Sequence, residues 1–178
     1  MERGTDGHVC ESMKFNDFFE AMSAAQVDYV LVGGLAVSLQ GVVRGTLDVD
    51  VVLAMDEANL ARFIAAARAM GLAPSLPVPI EALADAAQID VWHREKNMLA
   101  FSLREAVPAG LVVDVLVRPR VSYADLRSTA SVRSMGSIAI PVASIDHLIA
   151  LKSETGRSID ALDIEQLERL RGARPPST

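Results

Sequence analysis

Thr46-Leu47-Asp48-Val49-Asp50-Val51-Val52 sets two carboxylates two residues apart in a run otherwise suited to a strand. Side chains at i and i+2 of a strand share a face, so Asp48 and Asp50 project together. Leu47, Val49 and Val51 turn to the other side, into a core. Like charges held side by side need a cation, a proton or solvent to relieve them. Magnesium takes oxygen ligands, and two-metal sites hold their ions ~3.5–4 Å apart, a spacing that neighbouring carboxylates can serve. An edge strand with a solvated acidic face has the same pattern. Asp114 is the third acid of interest. It stands alone in the Leu/Val run 111–117, of the kind usually buried. A buried carboxylate needs donors or a cation. Asp114 therefore has a structural partner such as an arginine, or it completes an acidic metal site with Asp48 and Asp50.

Gly33-Gly34 lies between an apolar run and a helix start. Glycine admits a close-lying ligand, and the first turn of a helix offers free N–H groups to phosphate. The pair is no dinucleotide fingerprint, which needs a third glycine. Nor is it a Walker loop, since Leu35-Ala36 stand where Lys-Ser/Thr would be required. A plain strand-to-helix turn is the alternative. At ~100° per residue, Lys152 falls between Ile145 and Leu148, and Asp163 between Leu167 and Leu170. The two either pair with each other or leave Lys152 to extend its ammonium to a phosphate. Arg44 and Arg157 flank these regions and equally suit plain surface charge. Arg118, Arg120, Arg127 and Arg133 form either a phosphate-contacting edge or an ordinary solvated group. His93 and His147 suit surface or satisfied histidines.

These side chains need elements to hold them. Phe15, Phe18, Phe19 and Met22 recur at helical spacing. A strand is expected over 28–32, a brief helix over 35–40 and a second strand over 47–54. Asp56 is placed to cap a helix whose Leu60, Phe63, Ile64 and Ala67 share a face, with Gly71 as its stop. Pro74, Pro77 and Pro79 keep the next stretch irregular. Helix is expected over 80–87, strand over 98–103 and 111–117, and a short helix over 122–128. A hairpin is expected around Met135-Gly136, then helices over 145–153 and 158–171. The fold class is α+β, a mixed β-sheet covered by helices. Residues 1–11 are expected to form a flexible leader, 12–172 a single domain and 173–178 a disordered tail.

Composition narrows the function classes. The chain has 178 residues, 51% hydrophobic and 22% charged, enough to bury a core as one domain. Its net charge of −6 argues against a general nucleic-acid coat, though a local basic groove is compatible with it. The uncharged stretch 29–43 is shorter than the ~20 residues a spanning helix needs, so no membrane association is expected. One cysteine, Cys10, has no intrachain partner, and the N-terminus lacks a secretion signal, so a cytoplasmic location is expected. The three histidines lack zinc-like spacing.

The order Val32-Gly33-Gly34-Leu35-Ala36, Gly41, Arg44-Gly45-Thr46-Leu47-Asp48-Val49-Asp50 and a distal Asp114 resembles the nucleotidyltransferases of the DNA polymerase β superfamily. More narrowly it resembles the small bacterial branch that includes the AbiEii-type toxins of toxin–antitoxin pairs. The run 144–152, followed by Gly156-Arg157 and Asp160-Ala161-Leu162-Asp163-Ile164, is similar to the same branch. Ile159 stands where the branch often has lysine. The resemblance implies that Asp48, Asp50 and Asp114 are catalytic and hold two Mg²⁺ ions, with Asp114 helping to activate an acceptor hydroxyl. It implies that Gly33, Gly34, Arg44, Thr46 and Lys152 bind the nucleotide. The implied activity moves a nucleoside monophosphate from an NTP to an RNA (tRNA) or protein hydroxyl, as the toxin of a pair with an antitoxin partner. An antibiotic nucleotidyltransferase for aminoglycoside- or lincosamide-like drugs, and a non-catalytic nucleotide-binding module, are the alternatives.

Overall fold

A computed structural model describes residues 9–107, 109–153 and 155–173. Helix α1 (Val9–Ala24) buries Phe18, Phe19 and Met22, the stripe its spacing predicts. Phe18 meets Phe19 edge-on, and Phe19 stacks on Tyr29 of strand β1 (Tyr29–Val32). Residues 9–11, expected in the leader, belong to α1, and residues 1–8 lie outside the described residues.

Helix α2 (Gly33–Leu39) follows β1 without a linker, and β2 (Asp48–Leu53) returns antiparallel to β1. Next come α3 (Glu57–Ala69) and β3 (Leu72–Pro74). Asp56 caps α3, its carboxylate accepting the Asn59 N–H at 2.9 Å. Asn59 is itself fully buried. Its amide donates to the Asp28 and Ala54 carbonyls, and its oxygen accepts the Asp28 N–H. One side chain thereby ties the start of β1 and the end of β2 to α3. A buried amide with its donors and acceptor all engaged fixes geometry in a way apolar packing does not.

The expected helix over 80–87 is instead a 3₁₀ turn (Ile80–Ala84) followed by α4 (Ala86–Lys96), which the pattern of residues did not reveal. Only Ile89 of α4 is buried, so it has no apolar stripe to read. Asp85 caps it and Asn97 ends it in the left-handed conformation. Strands β4 (Ala100–Glu105) and β5 (Val112–Leu116), helix α5 (Tyr123–Ser128) and the hairpin β6 (Ser131–Met135)–β7 (Ile138–Val142) come next. Helices α6 (Ile145–Lys152) and α7 (Ser158–Ala173) close the chain. The rest of the expected tail, 174–178, lies outside the described residues.

One seven-stranded sheet runs β3-β4-β5-β2-β1-β7-β6. The pairs β2/β5 and β1/β7 are parallel and the other four antiparallel, the mixed α+β class expected from the sequence. Val49, Val51, Val113, Val115, Phe101 and Leu103 are all buried on one face of the central strands. Leu47, expected to join them, is 66% exposed because β2 begins one residue later, at Asp48. Among the described residues no helix is long and apolar enough to cross a membrane.

Candidate active site

The site starts at the end of β1. Val32, its last residue, pairs with Asp50, and the chain then turns at Gly33 with φ +66°. A Cβ on Gly33 would lie 1.9 Å from Asp50 Oδ2, so the turn is pressed directly against that carboxylate. Gly34 is similarly crowded: a Cβ there would lie 2.7 Å from Arg44 Nη1 and 3.0 Å from Thr46 Oγ1. The loop between α2 and β2 folds back to make this contact. Ser38 of α2 holds it by donating its hydroxyl to the Arg44 carbonyl at 2.8 Å. Gly33, Gly34, Arg44, Thr46 and Asp50 are thus brought together around one turn.

The acids line up across the sheet. Asp50 of β2 is in register with Asp114 of the parallel β5, and Asp48 opposes Val112 one step along the same face. Ser102 of β4 is in register with Asp114 from the other side and donates its hydroxyl to Asp114 Oδ1 at 2.5 Å. The partner of Asp114 is this serine, where an arginine was one expectation. Only one face of β5 is fully buried, Val113 and Val115, while Asp114 is half-buried on the other.

Electrostatics mark Asp50. Burial, then the charge of Asp114, push its carboxyl up to about 6, and Asp48 adds to the push. A backbone hydrogen bond from Gly34 and the charge of Lys152 pull it partly back. The donor set is carboxylate oxygen on one face with its repulsion unrelieved, which suits a hard divalent cation. Among the described residues, however, no three acidic, histidine or cysteine side chains close around one point. The carboxylates share a face without forming a finished cage.

Lys152 is buried at 7% exposure, with its Nζ 2.7 Å from Asp160 Oδ1 and 2.8 Å from Asp163 Oδ2. Pairing, one of the two expectations for Lys152 and Asp163, is what the structure holds. Burial would raise the Asp160 carboxyl, but hydrogen bonds from Lys152, Thr155 and Arg157 outweigh it and hold it at about 2. Arg44 Nη1 reaches Asp163 Oδ2 at 2.6 Å, so this buried network ends at the Gly33-Gly34 turn. Replacing Lys152 with Met would strip one hydrogen-bonded cation from each of two buried carboxylates, leaving Asp160 only Arg157 and Asp163 only Arg44. Urea denaturation is expected to show a loss of about 3 kcal/mol, and an unchanged midpoint would contradict that.

The first and last of the arginines that cluster in sequence after Asp114 stand far apart in space. Arg118 follows β5 and pairs with Asp90 of α4, whereas Arg133 is on β6 and donates to Gln40. Three strands separate β5 from β6, about 19 Å at the usual strand spacing. His93 Nδ1 is bonded to the Met98 carbonyl and His147 Nδ1 to Thr129, as satisfied histidines. Two groups escaped the sequence reading, Ser102 and the Arg44–Asp163 bond.

No protein-family model matches the chain, and no curated protein matches it. Solved structures do. The lincosamide antibiotic adenylyltransferase LnuA, bound to lincomycin, superposes with a TM-score of 0.55 at 16% identity, over 89% of this chain and 96% of that one. The antibiotic-resistance factor ANT(2'')-Ia gives 0.53 at 13% identity, over 91% and 89%. An antigenic nucleotidyltransferase-like protein from Paracoccidioides brasiliensis gives 0.56 at 17%, over 94% and 79%. The chain has the fold of these proteins.

Proposed function

We propose that this chain transfers a nucleoside monophosphate from a nucleoside triphosphate to an acceptor hydroxyl, with release of pyrophosphate. The observation that carries the reading is the register of Asp50 with Asp114 beneath the Gly33 turn. The shared fold with nucleotidyltransferases supports it. Asp48, Asp50 and Asp114 would hold magnesium, which when bound supplies positive charge against the α-phosphate and the departing pyrophosphate. Asp114, one oxygen of which accepts the Ser102 hydroxyl, takes the acceptor's proton on the other. The acceptor oxygen then bonds to the α-phosphorus. The bond from that phosphorus to the bridging oxygen breaks, and its electrons leave with pyrophosphate. The Gly33-Gly34 turn, Thr46 and Arg44 orient the phosphates, and Lys152 acts from behind through its charge.

The acceptor we propose is an RNA end, tRNA first, or a protein hydroxyl. The chain then acts in the cytoplasm as the toxin of a pair silenced by an antitoxin. This finer reading rests on the likeness of the Gly33-Gly34 and Arg44–Asp50 segments to the AbiEii-type branch. A second acceptor class, a hydroxylated antibiotic, draws support from the fold shared with LnuA and ANT(2'')-Ia. The test incubates the protein, Mg²⁺ and α-phosphate-labelled NTPs with bulk tRNA, cell protein or an aminoglycoside and lincosamide panel. Label on RNA or protein is expected, and EDTA should abolish it. Label on a drug alone would replace the acceptor assignment. NTP binding with no labelled product would leave a binding module and overturn the enzymatic reading.

A further inference from the structure

Arg44 and Lys152 reach one carboxylate from distant parts of the chain. Asp163, with its side chain 5% exposed, accepts both cations on the same oxygen, Oδ2. Lys152 already has Asp160 at 2.7 Å, so its charge is compensated without Asp163. The contact that depends on Asp163 is the one to Arg44, whose Nη1 stands over Gly34. An arginine in a surface loop samples many rotamers, and a guanidinium held by one nitrogen keeps its remaining donors in a fixed plane. Across these five groups the network sets Arg44, Lys152 and Arg157 against Asp160 and Asp163, and Arg44 is the cation that reaches the turn.

We infer that Asp163 is a positioning residue: it anchors Arg44 on α7 so that the guanidinium's other N–H donors face the phosphates of an NTP at the Gly33-Gly34 turn. The inference rests on the nucleotide-site reading above. It also gives α7 a part in substrate binding, although α7 supplies no group that touches substrate.

Calorimetric titration with each of the four NTPs and Mg²⁺ tests it, with melting curves to follow the fold. Asp163→Asn keeps the volume and leaves Lys152 its bond to Asp160. Arg44→Ala is expected to weaken NTP binding about tenfold and Asp163→Asn nearly as much, while the double variant stays within about twofold of Arg44→Ala. In steady-state assays Asp163→Asn should raise KM by a similar factor and leave kcat within about threefold. Asp163→Glu, which keeps the charge but moves it by a methylene, is the second variant should the first not fold, and a loss of at least about threefold is expected. Wild-type affinity in a folded Asp163 variant, or full additivity in the double variant, overturns the proposal. Failure of the wild type to bind any NTP would instead sink the nucleotide-site reading, so the two failures are distinguishable.

Discussion

Asp50→Asn is expected to lower nucleotidyl transfer about a thousandfold and, in the absence of divalent ions at pH 8, to raise the melting temperature. Both effects have one cause. Burial and the neighbouring Asp114 lift the Asp50 carboxyl from 3.8 to about 6, so its ionised form is disfavoured in the folded protein. A raised carboxyl contributes stability that is intact below pH 4 and lost as pH rises through 6. The shift bounds that loss at about 3 kcal/mol. Asparagine removes the charge and keeps an oxygen for the Gly34 N–H. A gain of about 1–2 kcal/mol at pH 8 is expected, or roughly 3–6 °C in a chain of this size. The gap between wild type and variant should open between pH 4 and 6 and stay constant above. Magnesium should raise the wild-type melting temperature and leave the variant's unchanged, because a bound cation relieves the repulsion that the substitution removes. A variant that melts no higher than wild type at pH 8 would show that Asp50 does not carry the strain, and one that labels an acceptor as wild type does would show that it does not carry the chemistry.

How far these features were legible follows from the range of the interactions that set them. The Asp48/Asp50 face, the Gly33-Gly34 turn and the Asp56 cap are written in two to four adjacent residues, where strand period and turn chemistry act directly. Lys152 and Asp163 were visible because each interrupts an apolar helical stripe. Ser102 carried no such signal. It is an ordinary strand residue until the β4/β5 register sets it opposite Asp114. The Arg44–Asp163 bond joins residues 119 apart in sequence, and although Asp163 stands out on its helix, nothing local ties it to Arg44. The arginines after Asp114 mislead in the opposite sense, since proximity in sequence says little once a strand order of β5-β2-β1-β7-β6 carries Arg118 and Arg133 apart. Helix α4 was missed because its polar faces leave periodicity nothing to detect.

Gly33→Ala separates the two demands made on that turn, and Gly136→Ala supplies the reference. Both glycines have φ near +60°, at +66° and +61°, where a Cβ costs about 1–2 kcal/mol. At Gly136, in the β6–β7 hairpin, nothing lies within 4 Å of an added Cβ, so Ala there meets only the backbone strain. At Gly33 the same Cβ would meet Asp50 Oδ2 at 1.9 Å, Cγ at 2.4 Å and Cβ at 2.6 Å. Rotating the Asp50 side chain frees the first two atoms but leaves the third, so β2 and the turn must also move apart. Gly136→Ala is expected to lose about 1 kcal/mol and to keep full transfer activity. Gly33→Ala should lose about 3–4 kcal/mol and at least a hundredfold in kcat, because a displaced Asp50 no longer shares its register position with Asp114. The excess loss is the contact between turn and carboxylate, measured with backbone strain subtracted. Equal destabilisation of the two variants, with activity retained in both, would mean that the Gly33 turn does not hold Asp50 in place.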